Sequence, residues 1–173
     1  SQLEMRDMSK MWLDEAWGEG RHVKRVEKID DHSGIVLTNG VFDILHKGHI
    51  ELLKFSKNQG DKLIVAIDSD ERVRQLKGED RPINNEEDRR KVLETNRYVD
   101  SVVTFNSSEE LKTLYETLCP DVVVKGSEWT ADELRERDEI PDTIQVKVYP
   151  LVGDYSTTNT MEKIRNMGSC EKI

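Results

Sequence analysis

Residues 34–49 read Gly-Ile-Val-Leu-Thr-Asn-Gly-Val-Phe-Asp-Ile-Leu-His-Lys-Gly-His. The apolar block from Ile35 to Thr38 predicts a buried strand, and the spacing that follows predicts a helix from about Lys47 to Asn58, closed by Gly60. Between them Gly40 lets the chain turn tightly, so that successive backbone N–H groups and the positive end of the helix face one spot. His46 and His49 are three residues apart at the helix start, which puts both imidazoles on one side. Gly48 leaves out a side chain between them. Strand, glycine turn and helix start together describe an anion cradle at the end of a parallel strand.

Downstream the pattern repeats in outline. Lys62–Asp68 predicts the second strand, and a charged loop containing Gly78 and Pro82 follows. Asn84 or Asn85 caps a helix running to about Arg97. Ser101–Phe105 is the third strand, and Ser107 or Ser108 caps a helix to about Leu118. Asp121–Lys125 is the fourth strand, and a polar stretch at 127–141 holds a short helix, Ala131–Arg137. Ile144–Tyr149 is the fifth strand, and a last helix runs from about Thr158 to Asn166. Strands this apolar, alternating with helices, predict an α/β fold: a doubly wound, Rossmann-like sheet of five parallel strands covered on both faces. Residues 1–33 are set apart as an N-terminal extension, with Met5, Met8 and Trp12 spaced as one face of a helix, and 34–173 form the main domain.

Composition narrows the function. The 173 residues carry a formal net charge of -9 and only two cysteines, Cys119 and Cys170. No long basic run offers a surface to nucleic acid. No apolar run is long enough to span a bilayer, and the acidic first residues fit no targeting peptide. A cytoplasmic protein with reduced thiols is expected. In so acidic a chain, cations gathered in one place are informative.

Such cations follow the second strand, where Arg72, Arg74, Lys77 and Arg81 surround Gly78 and Pro82. Opposite the histidine turn they read as a mobile cationic lid for a polyphosphate, with Lys77 leading. Arg81 and Arg89 are candidate contacts to a phosphorylated substrate. Asp43 is a candidate on the same side for metal or water placement, with a local structural hydrogen bond an equal reading. A lone histidine usually caps a helix or packs in a core. Two of them flanking Gly48 after a strand instead suit the charge that builds on a phosphoryl group in flight. A zinc site fits less well, because no third ligand has suitable spacing.

The segment Asn39-Gly40-Val41-Phe42-Asp43-Ile44-Leu45-His46-Lys47-Gly48-His49 resembles the signature of the cytidylyltransferase-like nucleotidyltransferases. Ser156-Thr157-Thr158 resembles that family's second signature, a helix start whose hydroxyls and N–H groups hold a triphosphate. Leu76-Lys77-Gly78, Arg81-Pro82-Ile83 and Lys125-Gly126-Ser127 resemble the nucleotidyltransferase domain of ADP-heptose synthases, and Leu93–Asp100 is as similar to glycerol-3-phosphate cytidylyltransferases. The resemblance spans residues 34 to 166 and implies a catalytic set of His46, His49 and Lys77. It implies a nucleotide pocket formed by Asn39, Gly40, Val41, Phe42, Gly48, Lys125, Gly126, Ser127, Ser156, Thr157 and Thr158. The implied reaction moves a nucleoside monophosphate from an NTP (ATP or CTP) to a sugar phosphate or a polyol phosphate, with Mg²⁺ carried by the NTP. A homodimer with neither nucleic-acid nor membrane partners completes the expectation.

Overall fold

A computed structural model describes residues 34–126, 129–150, 153 and 155–168. The helix expected from Met5, Met8 and Trp12 lies outside these residues, as does Ser127. Elements alternate as β1 (Ile35–Gly40), α1 (Lys47–Lys57), β2 (Lys62–Asp68), α2 (Asp70–Lys77), α3 (Glu86–Glu94), β3 (Ser101–Phe105), α4 (Ser108–Leu118), β4 (Val122–Gly126), α5 (Ala131–Arg137), β5 (Gln145–Tyr149) and α6 (Thr157–Gly168). The strands form one sheet of five in the order β3-β2-β1-β4-β5. Every neighbouring pair is parallel, with Leu37 opposite Ile64 on one side and Val123 on the other. This is the doubly wound α/β sheet that the alternating apolar blocks predict.

Strand alternation divides the core into two layers. Ile35 and Leu37 face α4, where Leu111, Leu114, Tyr115 and Leu118 cover them together with Ile64, Val103 and Val123. Val36 points the other way, into a layer with Leu53 of α1, Leu93 of α3, Val65, Ile67 and Val124. Chain growth runs outward from β1 through β2 to β3, then returns to place β4 against the free side of β1. That reversal opens a crevice at the carboxyl ends of β1 and β4, where sheets of this kind receive ligands.

The clearest departure from the sequence reading is α2, because Asp70–Lys77 is helix where a charged loop was predicted. The Ser69 hydroxyl accepts from the Arg72 N–H at 3.2 Å and caps its start. Asp70 and Glu71 sit in the first turn and Arg74 and Lys77 in the last, matching the helix dipole, and Gly78 ends it at φ 98°. Val73 is its one buried side chain, too thin an apolar stripe to announce a helix. Helix α3 also stops at Glu94, short of Arg97. The Asn96 carboxamide accepts from the Tyr98 N–H at 3.0 Å and turns the chain to sink Val99 into the core. Other boundaries move by one or two residues.

At the opposite end of the sheet Gly60 has a steric task. A Cβ there would lie 2.2 Å from the Gly34 carbonyl oxygen, where β1 starts beside the α1–β2 connection. Gly60→Ala is therefore expected to cost about 3 kcal/mol of unfolding free energy, read from the urea midpoint. A wild-type midpoint would show that the two segments are free to separate.

Candidate active site

The turn after β1 is built under constraint from three sides. Phe42 is buried yet holds a left-handed φ of 49°, a conformation that non-glycine residues keep only when their surroundings enforce it. Its ring packs over the place where a Gly40 Cβ would stand, 3.3 Å away, and lies 5.2 Å from the His49 ring. One residue back, the Val41 carbonyl accepts from Arg89 Nη1 at 2.8 Å. One residue on, the Asp43 carboxylate accepts from the backbone N–H groups of Ile83 and Asn84, each at 2.8 Å. Asn84 returns a hydrogen bond to the Asp43 carbonyl at 3.0 Å.

With the turn fixed, α1 starts at a set place and angle. His46 is its cap residue, and no acidic side chain occupies the first turn, so the positive end is left for a ligand. The His46 N–H donates to His49 Nδ1 at 3.4 Å, and the two imidazoles stack with centroids 3.8 Å apart. Burial lowers the pKa of His46. It pushes His49 from the ordinary 6.5 to about 4, with help from the neighbouring His46 and Lys77 and against a hydrogen bond at Ile44. Both rings are neutral near pH 7 and in a position to gain charge when an anion arrives. Gly48 earns its place by packing: a Cβ would lie 3.1 Å from the His46 ring and 3.3 Å from Tyr155 Cβ.

A second helix start faces the first. The Ser156 hydroxyl accepts from the Asn159 N–H at 3.0 Å, so Ser156 caps α6. Thr157 and Thr158 then open the helix and line the cavity. The cavity has a volume of about 490 Å³. Around it the structure gathers Asn39, Gly40, Val41, Phe42, His46, Gly48, His49, Lys77, Gly126, Ser156, Thr157 and Thr158, all named from sequence. Lys47, Glu51, Leu52, Tyr149 and Tyr155 line it too and were not singled out. Tyr155 had a signal, its place just before the Ser-Thr-Thr run, and its ring lies 6.3 Å from that of His46.

Four named residues fall behind the lining. The Asp43 carboxylate is occupied by the 83–84 backbone, with Arg81 Nε 3.4 Å away, so of its two sequence readings the structural hydrogen bond is the one the structure shows, and it does not reach a substrate. Arg81 is itself turned inward, and its Nη1 meets Met161 Sδ of α6 at 3.5 Å. Arg89 is 1% exposed, too deep for a phosphate contact. Its nitrogens donate to the Asn84 carbonyl at 3.0 Å, the Val41 carbonyl at 2.8 Å and the Asp70 carboxylate at 2.7 Å. Lys125 lies under the floor, paired with Asp138 at 2.5 Å. Residue types alone do not reveal these arrangements, because each partner arrives from a distant element.

A five-stranded parallel sheet whose reversal point carries two helix starts, a histidine pair and a lysine defines a nucleotidyltransferase-type site. A family model described as cytidylyltransferase-like matches residues 37–166, and the chain belongs to that family of nucleotidyltransferases. It is 45% identical over 130 residues to the bifunctional protein HldE of Koribacter versatilis, covering 75% of this chain and 26% of that protein. To the HldE of Campylobacter fetus subsp. fetus it is 38% identical over 167 residues, covering 88% of this chain and 36% of that one. The chain thus spans about a quarter to a third of the length of these relatives. Among solved structures, the lipopolysaccharide core biosynthesis protein from Thermoplasma volcanium is 31% identical, with a TM-score of 0.57 over 72% of this chain and 99% of that one. The pantoate-beta-alanine ligase from Francisella tularensis, 17% identical with a TM-score of 0.55 over 84% of this chain and 73% of that one, shares the fold. Among the described residues no helix is long and apolar enough to cross a membrane.

Two outcomes test this geometry. Lysine cannot serve three acceptors in a plane as Arg89 does, so Arg89→Lys is expected to lose about 2 kcal/mol of stability. An unchanged urea midpoint with a raised KM would restore Arg89 as a phosphate contact. For His49 the folded pKa lies below the unfolded one, so between pH 6.5 and about 4 the unfolded chain takes up a proton that the folded chain refuses. Stability therefore falls with pH across that window, by on the order of 2 kcal/mol from this group. In His49→Gln that share of the decline is expected to vanish, and identical pH profiles for the two proteins would contradict the assignment.

Proposed function

We propose that the chain transfers a nucleoside monophosphate from an NTP to a sugar phosphate, giving an NDP-sugar and pyrophosphate. The observation that carries this reading is the convergence of the α1 and α6 starts, the His46–His49 pair and Lys77 on one cavity. The sugar acceptor is supported by the HldE relatives and by the likeness to a lipopolysaccharide core biosynthesis protein. A heptose or pentose phosphate, with ATP or CTP as donor, fits that likeness.

An acceptor phosphate oxygen attacks the α-phosphorus in line. A P–O bond forms to the acceptor, the bond from the α-phosphorus to the bridging β-phosphate oxygen breaks, and pyrophosphate leaves with that electron pair. The nucleophile is already ionised at pH 7, so no general base is required. His46 and His49 donate to the oxygens of the transferring phosphoryl group, where negative charge concentrates. The N-terminal N–H groups of α1 and α6 hold the triphosphate, and Lys77 offsets the charge of the departing pyrophosphate.

Magnesium bound to the triphosphate would offset part of its negative charge. Among the described residues no group of three or more His, Cys, Asp or Glu side chains is arranged for a metal, and Glu51 is the one carboxylate among the cavity residues. Such a lining fits an ion carried in by the triphosphate. Homodimeric assembly and a cytoplasmic location belong to the same proposal and rest on the family resemblance.

Pyrophosphate release, measured with each NTP against heptose, pentose and glycerol phosphates, is expected only with a nucleotide and a sugar phosphate together. Turnover with glycerol 3-phosphate alone would make the chain a polyol-phosphate cytidylyltransferase, and no turnover with any pair would leave a nucleotide-binding module. His46→Ala and His49→Ala are each expected to lower kcat by about a hundredfold or more. Near-normal kcat in a folded variant would remove that histidine from the chemistry.

A further inference from the structure

Beneath the cavity floor, at the point where β1 and β4 end side by side, lies an ammonium group the chemistry above does not use. Lys125 has a side chain only 6% exposed, and its Nζ pairs with Asp138 Oδ2 at 2.5 Å, on the cap of α5. The same Nζ donates to Asn39 Oδ1. Asn39 is the next-to-last residue of β1, before Gly40, and lines the cavity, whereas Lys125 does not. A buried ammonium costs free energy even when paired, so its retention beside a ligand site calls for a reason.

The reason lies in what each group is able to offer. An ammonium has three donors and no acceptor, and a carboxamide has a donor end and an acceptor end. With Lys125 on Oδ1, the Asn39 amide is locked in one of its two orientations, and its NH₂ group is turned away from Lys125. Among the described residues nothing accepts from that NH₂ group. Gly40 and Gly126 lie beside it at the ends of β1 and β4 and add no side chain of their own to the cavity there. We infer that Lys125 and Asp138 act as positioning residues that aim the Asn39 amide into the cavity, where its NH₂ donates to a phosphoryl oxygen of the bound nucleotide. A phosphoryl oxygen is favoured over a base or ribose group because Asn39 leads directly into the Gly40 turn and the α1 start. The inference rests on the nucleotidyltransferase reading of this cavity.

The test uses the full chain and three variants. Asn39→Ala removes the donor. Asn39→Asp keeps an oxygen for Lys125 but presents an acceptor to the ligand. Lys125→Met with Asp138→Asn removes the lock without stranding a buried charge, since Arg137, the other partner of Asp138, is half exposed. Binding of MgATP, MgCTP and inorganic tripolyphosphate is measured by calorimetry, beside melting temperature and the split between KM and kcat. Asn39→Ala is expected to weaken nucleotide and tripolyphosphate alike by about tenfold. Asn39→Asp weakens both by about a hundredfold with an unchanged or higher melting temperature, and the double variant raises KM several-fold with little loss of kcat.

Variants that melt lower but bind normally would reduce the trio to a brace between β4 and α5 and overturn the inference. Loss of nucleotide binding with tripolyphosphate unaffected would also overturn it, by moving the donor to the nucleoside. Failure of the wild-type chain to bind any NTP would instead defeat the nucleotidyltransferase reading, a result separable from both.

Discussion

The four-residue turn from Gly40 to Asp43 is the constraint on which the rest of the site depends. It must leave β1 and enter α1 within a few residues, and it does so through a left-handed Phe42 held down by burial. Arg89 grips the carbonyl before that residue, and the carboxylate after it grips the 83–84 backbone. Because Arg89 also binds Asp70 at the start of α2, the helix that carries Lys77 is tied to the turn that carries the histidines. The chemistry-bearing groups are thus mounted on elements braced against one another, and the brace is made of charges that a reader of the sequence assigns to substrate.

Charge is distributed with the same economy. The chain is acidic overall, and its cavity is bordered by Lys47, Lys77, two helix starts and a histidine pair kept neutral by burial. A polyanion entering that space meets positive potential without any cation having to be deeply buried at the point of contact. Beneath the floor Lys125 is buried, and its counter-charge Asp138 is beside it. Burial alone would raise the Asp138 pKa, but Arg137 and Lys125 together hold it below the usual carboxylate value. Burial pulls the Lys125 pKa below that of a free lysine, and the Asp138 carboxylate opposes that pull.

Most of the fold was legible because the sheet is buried on both faces. Blocks such as Leu63–Ile67 and Val122–Val124 have few other uses, and the strands fall on them. Helix α2 was not legible by periodicity, since Val73 alone reaches the core. Its capping signals were present nonetheless, in Ser69, the acidic first turn and Gly78. At the site, local motifs were read well: the histidine turn, Lys77, Gly126 and the Ser-Thr-Thr helix start all meet at the cavity. What failed was the direction of long charged side chains. Arg81 and Arg89 are surrounded by partners brought from other elements, and no spacing along the chain states whether an arginine turns toward a ligand or toward a carbonyl.

The central claim is that a nucleotide's phosphates lie between the α1 start and the α6 start, against His46 and His49. Histidine ring resonances followed by NMR, as a non-hydrolysable α,β-methylene NTP is added with Mg²⁺, test it most directly. The expected result is movement of the His46 and His49 signals together with a rise of the His49 pKa from its unliganded value of about 4, since the phosphates favour the charged ring. Saturable binding of the nucleotide that leaves both rings and their titration unchanged would place the phosphates elsewhere and contradict the site.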